Sequence, residues 1–181
     1  MDDIELINNV IKDLGFLSPL KDSQIECLQH AIQRNDVMAI LPTGYGKSLI
    51  FQAAPFVLKK KYGLEKSVCI ILTPLNSIMV DQINSLNKLG IPACWLDFTC
   101  MTGQTIAADS DNSSDEVEGS NPRPVVNVPL EDIAAGKYSL VYAHPEALMS
   151  TASGEALLNK LQKGGVVSCI AIDEAHMILE W

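Results

Sequence analysis

This chain lacks a CxxC pair, an HExxH-type histidine spacing, and any apolar run approaching the ~18 residues that a membrane-spanning helix needs. Its five cysteines (Cys27, Cys69, Cys94, Cys100, Cys169) are an odd, scattered set. Three of them sit in apolar stretches where a thiol behaves as a small hydrophobe, so reduced, structural cysteines are expected. The three histidines (His30, His144, His176) have no ligand spacing, which argues against structural zinc. A basic start followed by an apolar core is missing too; "MDDIELINNV" is acidic, does not read as a signal peptide, and leads to the expectation of an intracellular protein without membrane association. Basic charge is also scarce. A formal net charge of -9 argues against a simple nucleic-acid binder, because phosphate neutralisation leaves a Lys/Arg-rich footprint. Much of that excess is local: Asp109, Asp111, Asp115, Glu116 and Glu118 crowd a stretch without a base, and the rest of the chain is only mildly acidic.

What is present suits one domain. A length of 181 residues with 48% apolar composition can bury a substantial core. Residues 101–124, "MTGQTIAADSDNSSDEVEGSNPRP", hold too few large apolar side chains to offset ordering entropy and are expected to form a disordered acidic insertion. Around it, short apolar runs read as buried strands of a mostly parallel sheet: Val37 to Leu41, Val68 to Leu72, Pro92 to Leu96, Tyr138 to Tyr142 and Val166 to Ile172. Helical patterns alternate with them. In "SQIECLQHAI", Ile25, Leu28 and Ile32 share a face, with Ser23 and Glu26 spaced as a capping box. In "NSIMVDQINSLNKLG", Ile78, Val80, Ile83, Leu86 and Leu89 form a broad apolar side before Gly90 stops the helix. The alternation predicts an α/β domain with helices on both sheet faces. Polar turns follow four of the runs, as "PTGYGKS", "TPLNS", "AHPE" and "DEAH". Ligands of open α/β sheets lie beyond the carboxyl ends of strands, so these turns should build one composite site.

The strongest chemical signal is "LPTGYGKS", residues 41–48. Gly44 and Gly46 let the backbone curl so that its N–H groups face phosphate oxygens, and the helix that follows adds its positive end. Lys47 would reach the β- and γ-phosphates and the Ser48 hydroxyl would ligate Mg²⁺. The general phosphate-loop pattern begins with glycine, whereas this chain has Leu41 there. The run "CIAIDEAH" supplies the complement: Asp173 can hold Mg²⁺ through its hydration shell, and Glu174 can orient and deprotonate an attacking water. Metal holding and proton acceptance are separate tasks, which is why two carboxylates are needed.

Taken together, these motifs resemble the RecQ family of superfamily 2 DNA helicases, over nearly all of the chain except the acidic insertion. Pro42-Thr43-Gly44-Tyr45-Gly46-Lys47-Ser48 with Gln52 is similar to that family's motif I. "TPLNSIMVDQ" resembles motif Ia, most closely at Pro74-Leu75, Met79 and Asp81-Gln82. "LVYAHPEAL" resembles the motif before the acidic strand, and "DEAHMILEW" motif II entering an aromatic-rich loop. "LGFLSPLKDSQIECL" resembles the segment in which a glutamine reads adenine. Gln24 matches; Lys21 and Leu20 replace a usual arginine and phenylalanine, so planar stacking on the base is lost.

The resemblance implies a RecA-like P-loop NTPase domain, the first of a pair, cut after motif II and lacking its second RecA-like partner. It implies ATP and Mg²⁺ as ligands, with Gln24, Thr43, Gly44, Tyr45, Gly46, Lys47 and Ser48 around the nucleotide, Ser48 and Asp173 on the metal, Lys47 and Glu174 in catalysis, and His176 coupling the site to DNA-sensing segments. It further implies 3'-5' translocation on single-stranded or forked DNA, a nuclear setting in repair and recombination, and weak DNA binding with very slow turnover for this stretch alone. Two other readings stay open: a DEAH-type RNA helicase domain, and a truncated, non-enzymatic nucleotide-binding module.

Overall fold

A computed structural model of the chain describes residues 2–16, 18–74, 76–96, 128–149 and 152–176. The expected insertion at 101–124, Cys100, Leu75 of the motif Ia stretch and the last five residues of "DEAHMILEW" lie outside the described residues.

Four parallel strands form one sheet: β1 (Val68–Leu72), β2 (Ala93–Leu96), β3 (Leu140–Ala143) and β4 (Val167–Ile172), in the order β2-β3-β1-β4. Seven helices accompany them among the described residues: α1 (Asp3–Asp13), α2 (Asp22–Ile32), α3 (Lys47–Tyr62), α4 (Asn76–Lys88), α5 (Leu130–Ala134), α6 (Pro145–Met149) and α7 (Ala152–Lys163). All five residues of β1 are buried, as a strand covered on both faces must be. Alternate side chains divide between two cores. Val68, Ile70 and Leu72 meet Ile133, Leu148, Leu157 and Leu161 from α5, α6 and α7. Cys69 and Ile71 meet Met79, Ile83 and Leu86 of α4 on the other face, with Leu140 and Tyr142 of β3 beside them. Beyond this second face, α1, α2 and α3 pack on one another through Ile7, Leu28, Ala53 and Val57. The result is the expected α/β domain with helices on both sides of a parallel sheet.

Several expectations need correction. Val37 to Leu41 is apolar and adjoins the glycine loop, yet it forms no strand: Met38 is 83% and Ile40 87% exposed. A strand needs a ladder partner for its N–H and C=O groups, and no described strand supplies one. A cleft of about 390 Å³ lies between this segment and α2. The outer edge of the sheet is correspondingly open. Ile70 and Ile170 are register partners on β1 and β4, but one is 1% and the other 56% exposed.

At α2, Ser23 lies inside the helix and the cap is Lys21, whose N–H is accepted by Gln24 Oε1 at 2.8 Å. The Ser23–Glu26 capping box is therefore replaced by a Lys21–Gln24 contact, and a lysine side chain has no acceptor with which to return the bond. The buried stripe of α4 is Met79, Ile83 and Leu86, at spacings of four and three, whereas Leu89 is exposed. Gly90 ends the helix as expected: its φ is +74°, and Ile91 N–H reaches back to Leu86 C=O.

Candidate nucleotide site

The glycine loop and the turn after β4 converge through packing of α3 against the end of the sheet. α3 begins at Lys47, with Gly46 as its N-cap at φ +89°. A left-handed residue there suits glycine, and the loop's other glycine, Gly44, has φ +74° with open space where a Cβ would stand. At its far end α3 is tied to α1 by ion pairs of Lys60 with Asp13 and Lys61 with Asp3. Gly63 caps it in the left-handed conformation.

Inside the loop, the Lys47 ammonium donates to the carbonyls of Leu41 at 3.2 Å and Pro42 at 3.5 Å, so its charge lies in the curl of the loop. Ser48 Oγ, in the first turn of α3, accepts from Gln82 Nε2 at 3.3 Å. Thr43 is exposed. Tyr45 turns back toward α2, where its hydroxyl lies 3.5 Å from Ser23 Oγ. Lys21 Nζ stands 3.9 Å above its ring centroid, a cation–π contact, and also donates to the Tyr45 carbonyl at 3.2 Å.

Gln24 is 3% exposed and its amide is committed to the protein. Oε1 accepts from Lys21 N–H, while Nε2 donates to the carbonyls of Tyr45 at 3.2 Å and Gly46 at 2.9 Å. Both of its N–H donors are thus directed at the loop rather than outward, and Gln24 fixes the glycine curl to α2.

Asp173 and Glu174 follow β4 directly. Asp173 N–H donates to Leu72 C=O at 2.8 Å, which continues the β1–β4 ladder by one residue and sets the turn. Asp173 Oδ1 accepts the Glu174 N–H at 3.1 Å. Glu174 has φ +52°, a left-handed conformation that is uncommon outside glycine and concentrates at functional turns. Its Oε2 lies 3.3 Å from His176 Nδ1, and both side chains reach solvent. Burial raises the Asp173 pKa above its ordinary 3.8, with the neighbouring Glu174 carboxylate acting in the same direction. The Glu174 N–H and the Lys47 ammonium oppose the rise.

That direction gives a stability prediction. The folded state favours the protonated carboxyl, so this contribution to stability is full below about pH 3.8 and is lost as pH rises through the higher folded pKa. At neutral pH the ionised group is a cost in the free protein. Asp173→Asn keeps an acceptor for the Glu174 N–H and should raise the thermal midpoint at pH 7 by a few degrees at most, since solvent screens a half-buried group. Melts between pH 4 and 7 check this; a lower midpoint for Asp173→Asn at pH 7 would show that the carboxylate is stabilised as an ion.

A constellation missed by the pattern of the sequence lies behind Ser48. Gln52 of α3, Gln82 of α4 and Tyr142 of β3 are bonded to one another in an otherwise apolar core. The available signal was chemical: two glutamines stand among apolar residues, "IFQAA" and "VDQIN", where packing alone would favour hydrocarbons. His144 lies elsewhere, edge-on to Trp95 with ring centroids 6.4 Å apart.

Arranged in this way, the residues present backbone N–H groups, an ammonium, a hydroxyl and two carboxylates at one end of a parallel sheet. That donor set fits a polyphosphate with a hard divalent cation. Comparison with known proteins agrees. The family model described as DEAD/DEAH box helicase matches residues 21–181. The ATP-dependent DNA helicase hus2/rqh1 of Schizosaccharomyces pombe is 30% identical over 94% of this chain and 11% of its own length. The bifunctional 3'-5' exonuclease/ATP-dependent helicase WRN of Mus musculus is 32% identical over 96% of the chain and 10% of its own length. A protein of Acanthamoeba polyphaga mimivirus named as an ATP-dependent RNA helicase is 35% identical over 86% of the chain and 22% of its own length. The chain thus spans about a tenth of the first two relatives. No helix among the described residues is long and apolar enough to cross a membrane. Because the family match starts at Lys21, the cap of α2, and takes in both the glycine loop and the turn after β4, the chain belongs to the DEAD/DEAH box helicase family.

Proposed function

We propose that this chain is the first RecA-like, ATP-binding domain of a RecQ-like helicase that couples ATP hydrolysis to 3'-5' movement on single-stranded or forked DNA. The observation that carries the reading is the glycine loop curled around the Lys47 ammonium at the start of α3, a helix that packs against β4, whose end carries Asp173 and Glu174. Lys47 leaves the loop carbonyls to bind the β- and γ-phosphates, and the loop N–H groups take the remaining oxygens. Ser48 and Asp173 hold Mg²⁺, which when bound neutralises part of the phosphate charge. Glu174 accepts the proton of the attacking water, and His176, within reach of its carboxylate, links that turn to the segments that meet DNA. Gln24 acts on the nucleotide through the loop it holds.

DNA rather than RNA is favoured by the motif Ia resemblance and by the names of the fungal and mouse relatives. The RNA-directed reading draws on the mimivirus relative, and competition between single-stranded DNA and RNA of one sequence separates the two. A facing second RecA-like domain would complete both the nucleotide site and the strand-binding groove. Action on chromosomal DNA would place the protein in the nucleus.

The direct test is ligand-dependent stability. ADP with Mg²⁺ at a hundred times its dissociation constant should add about 2.7 kcal/mol to the unfolding free energy and raise the thermal midpoint. Lys47→Ala should lose most of that shift. An unshifted wild-type midpoint, or an equal shift in the variant, would remove the loop from nucleotide binding.

A further inference from the structure

The polar cluster behind Ser48 has a definite donor and acceptor order. Tyr142 is fully buried within the core formed by Met79, Ile83 and Leu86. Burial pushes its phenol pKa up, so the hydroxyl keeps its proton and acts as a donor. Its short bond, 2.8 Å, goes to Gln82 Oε1, and Gln52 Nε2 approaches the same oxygen at 3.3 Å. Gln52 Nε2 also lies 3.4 Å from the Tyr142 oxygen, closing a triangle of side chains from α3, α4 and β3.

With its oxygen taken by donors on that side, the Gln82 amide has one orientation. Its nitrogen faces Ser48 Oγ at 3.3 Å and must donate. Ser48 then has one lone pair occupied by Gln82, one left for a cation, and a hydroxyl hydrogen to give elsewhere. A buried polar cluster carries a large penalty if any member loses its partner, so the arrangement holds its members in place.

We propose that Gln82, oriented by Tyr142 and Gln52, is a positioning residue that sets the Ser48 hydroxyl for the divalent cation accompanying the bound nucleotide. This rests on the phosphate-loop reading above. Gln82 does not touch the nucleotide; it acts through Ser48, so its removal should weaken the contribution of Mg²⁺ and leave metal-free nucleotide binding alone.

The experiment is calorimetric titration of ADP into the whole chain, with MgCl₂ and with EDTA. Gln82→Leu keeps the bulk of the side chain and deletes the donor. Affinity for ADP in EDTA should stay within about twofold of wild type, whereas the extra affinity given by Mg²⁺ should fall about tenfold, the lower end expected for loss of a group that orients a metal ligand. Tyr142→Phe, which removes only a hydroxyl, should shift the same quantity by a smaller factor and provides the test should Gln82→Leu fail to fold. In a Ser48→Ala background, Gln82→Leu should add nothing, because the pathway runs through that hydroxyl.

Equal losses with MgCl₂ and EDTA would reduce Gln82 to a packing role and overturn the proposal, as would an unchanged Mg²⁺ increment in both Gln82→Leu and Tyr142→Phe. An intact Mg²⁺ increment in Ser48→Ala, or no ADP binding by the wild-type chain, would instead overturn the phosphate-loop reading beneath it.

Discussion

Gly46→Ala should abolish the nucleotide-dependent rise in thermal midpoint, and Gly44→Ala should only weaken it. Both glycines have positive φ, so either substitution carries the roughly 1–2 kcal/mol cost of a left-handed alanine. The difference is what the new methyl meets. At Gly44 nothing lies within 4 Å, whereas at Gly46 it would stand 2.7 Å from Gln24 Nε2. Gln24 cannot withdraw cheaply: its amide is bonded to Lys21 N–H, Tyr45 C=O and Gly46 C=O, and it is almost wholly buried. The loop must therefore open or Gln24 must give up its bonds, and either way the N–H groups that should meet phosphate are displaced. Thermal melts with saturating ADP and Mg²⁺ distinguish the two variants. If the clash is the cause, adding Gln24→Ala to Gly46→Ala should restore part of the shift. A full shift in Gly46→Ala alone would show that the contact between Gln24 and the loop does not shape the phosphate site.

Four of the sheet's strands and their alternation with helices were legible because those signals are local. Continuous apolar runs such as Val68–Leu72 specify strands buried on both faces, and "DEAH" marks where the chain turns at a strand's end. Partnership was not legible. Val37 to Leu41 has the composition of a strand but no ladder to join, and Ile170 carries the same side chain as its register partner Ile70 in an open environment. Composition fixes what a segment could bury, while burial itself depends on what packs beside it.

The site shows the same division. Lys47 and Ser48 open α3 and Asp173 and Glu174 follow β4, positions that "GKS" and "DEAH" mark in the sequence. Gln24 had an identity suited to adenine, yet its donors go to carbonyls more than twenty positions away, a pairing that only the fold creates. Lys21, read as the loss of a stacking arginine, stacks instead on Tyr45. The Gln52–Gln82–Tyr142 triangle joins residues separated by thirty to ninety positions, beyond the reach of any periodicity.

Glu174→Gln should leave nucleotide binding intact and slow ATP hydrolysis by about 10²–10⁴, the usual contribution of a positioned general base. The geometry separates it from its neighbour. Asp173 is half-buried, feels the Lys47 charge and bonds the Glu174 N–H, so it belongs to the fixed part of the turn. Glu174 adopts a left-handed backbone, at a cost of order 1–3 kcal/mol, stays partly exposed, and its carboxylate lies beside His176. A strained, partly exposed carboxylate in the turn after β4 is what the proposed role as base for the attacking water requires. Glutamine preserves the shape and the hydrogen-bonding reach of that side chain but cannot accept a proton at neutral pH. Single-turnover release of labelled phosphate from ATP measures slow hydrolysis directly, and the thermal shift with ADP and Mg²⁺ reports binding in the same samples. Equal rates in wild type and Glu174→Gln would deny the carboxylate its role as base. Loss of the thermal shift would move Glu174 from the chemistry of water to the holding of nucleotide, where Asp173 is expected to act.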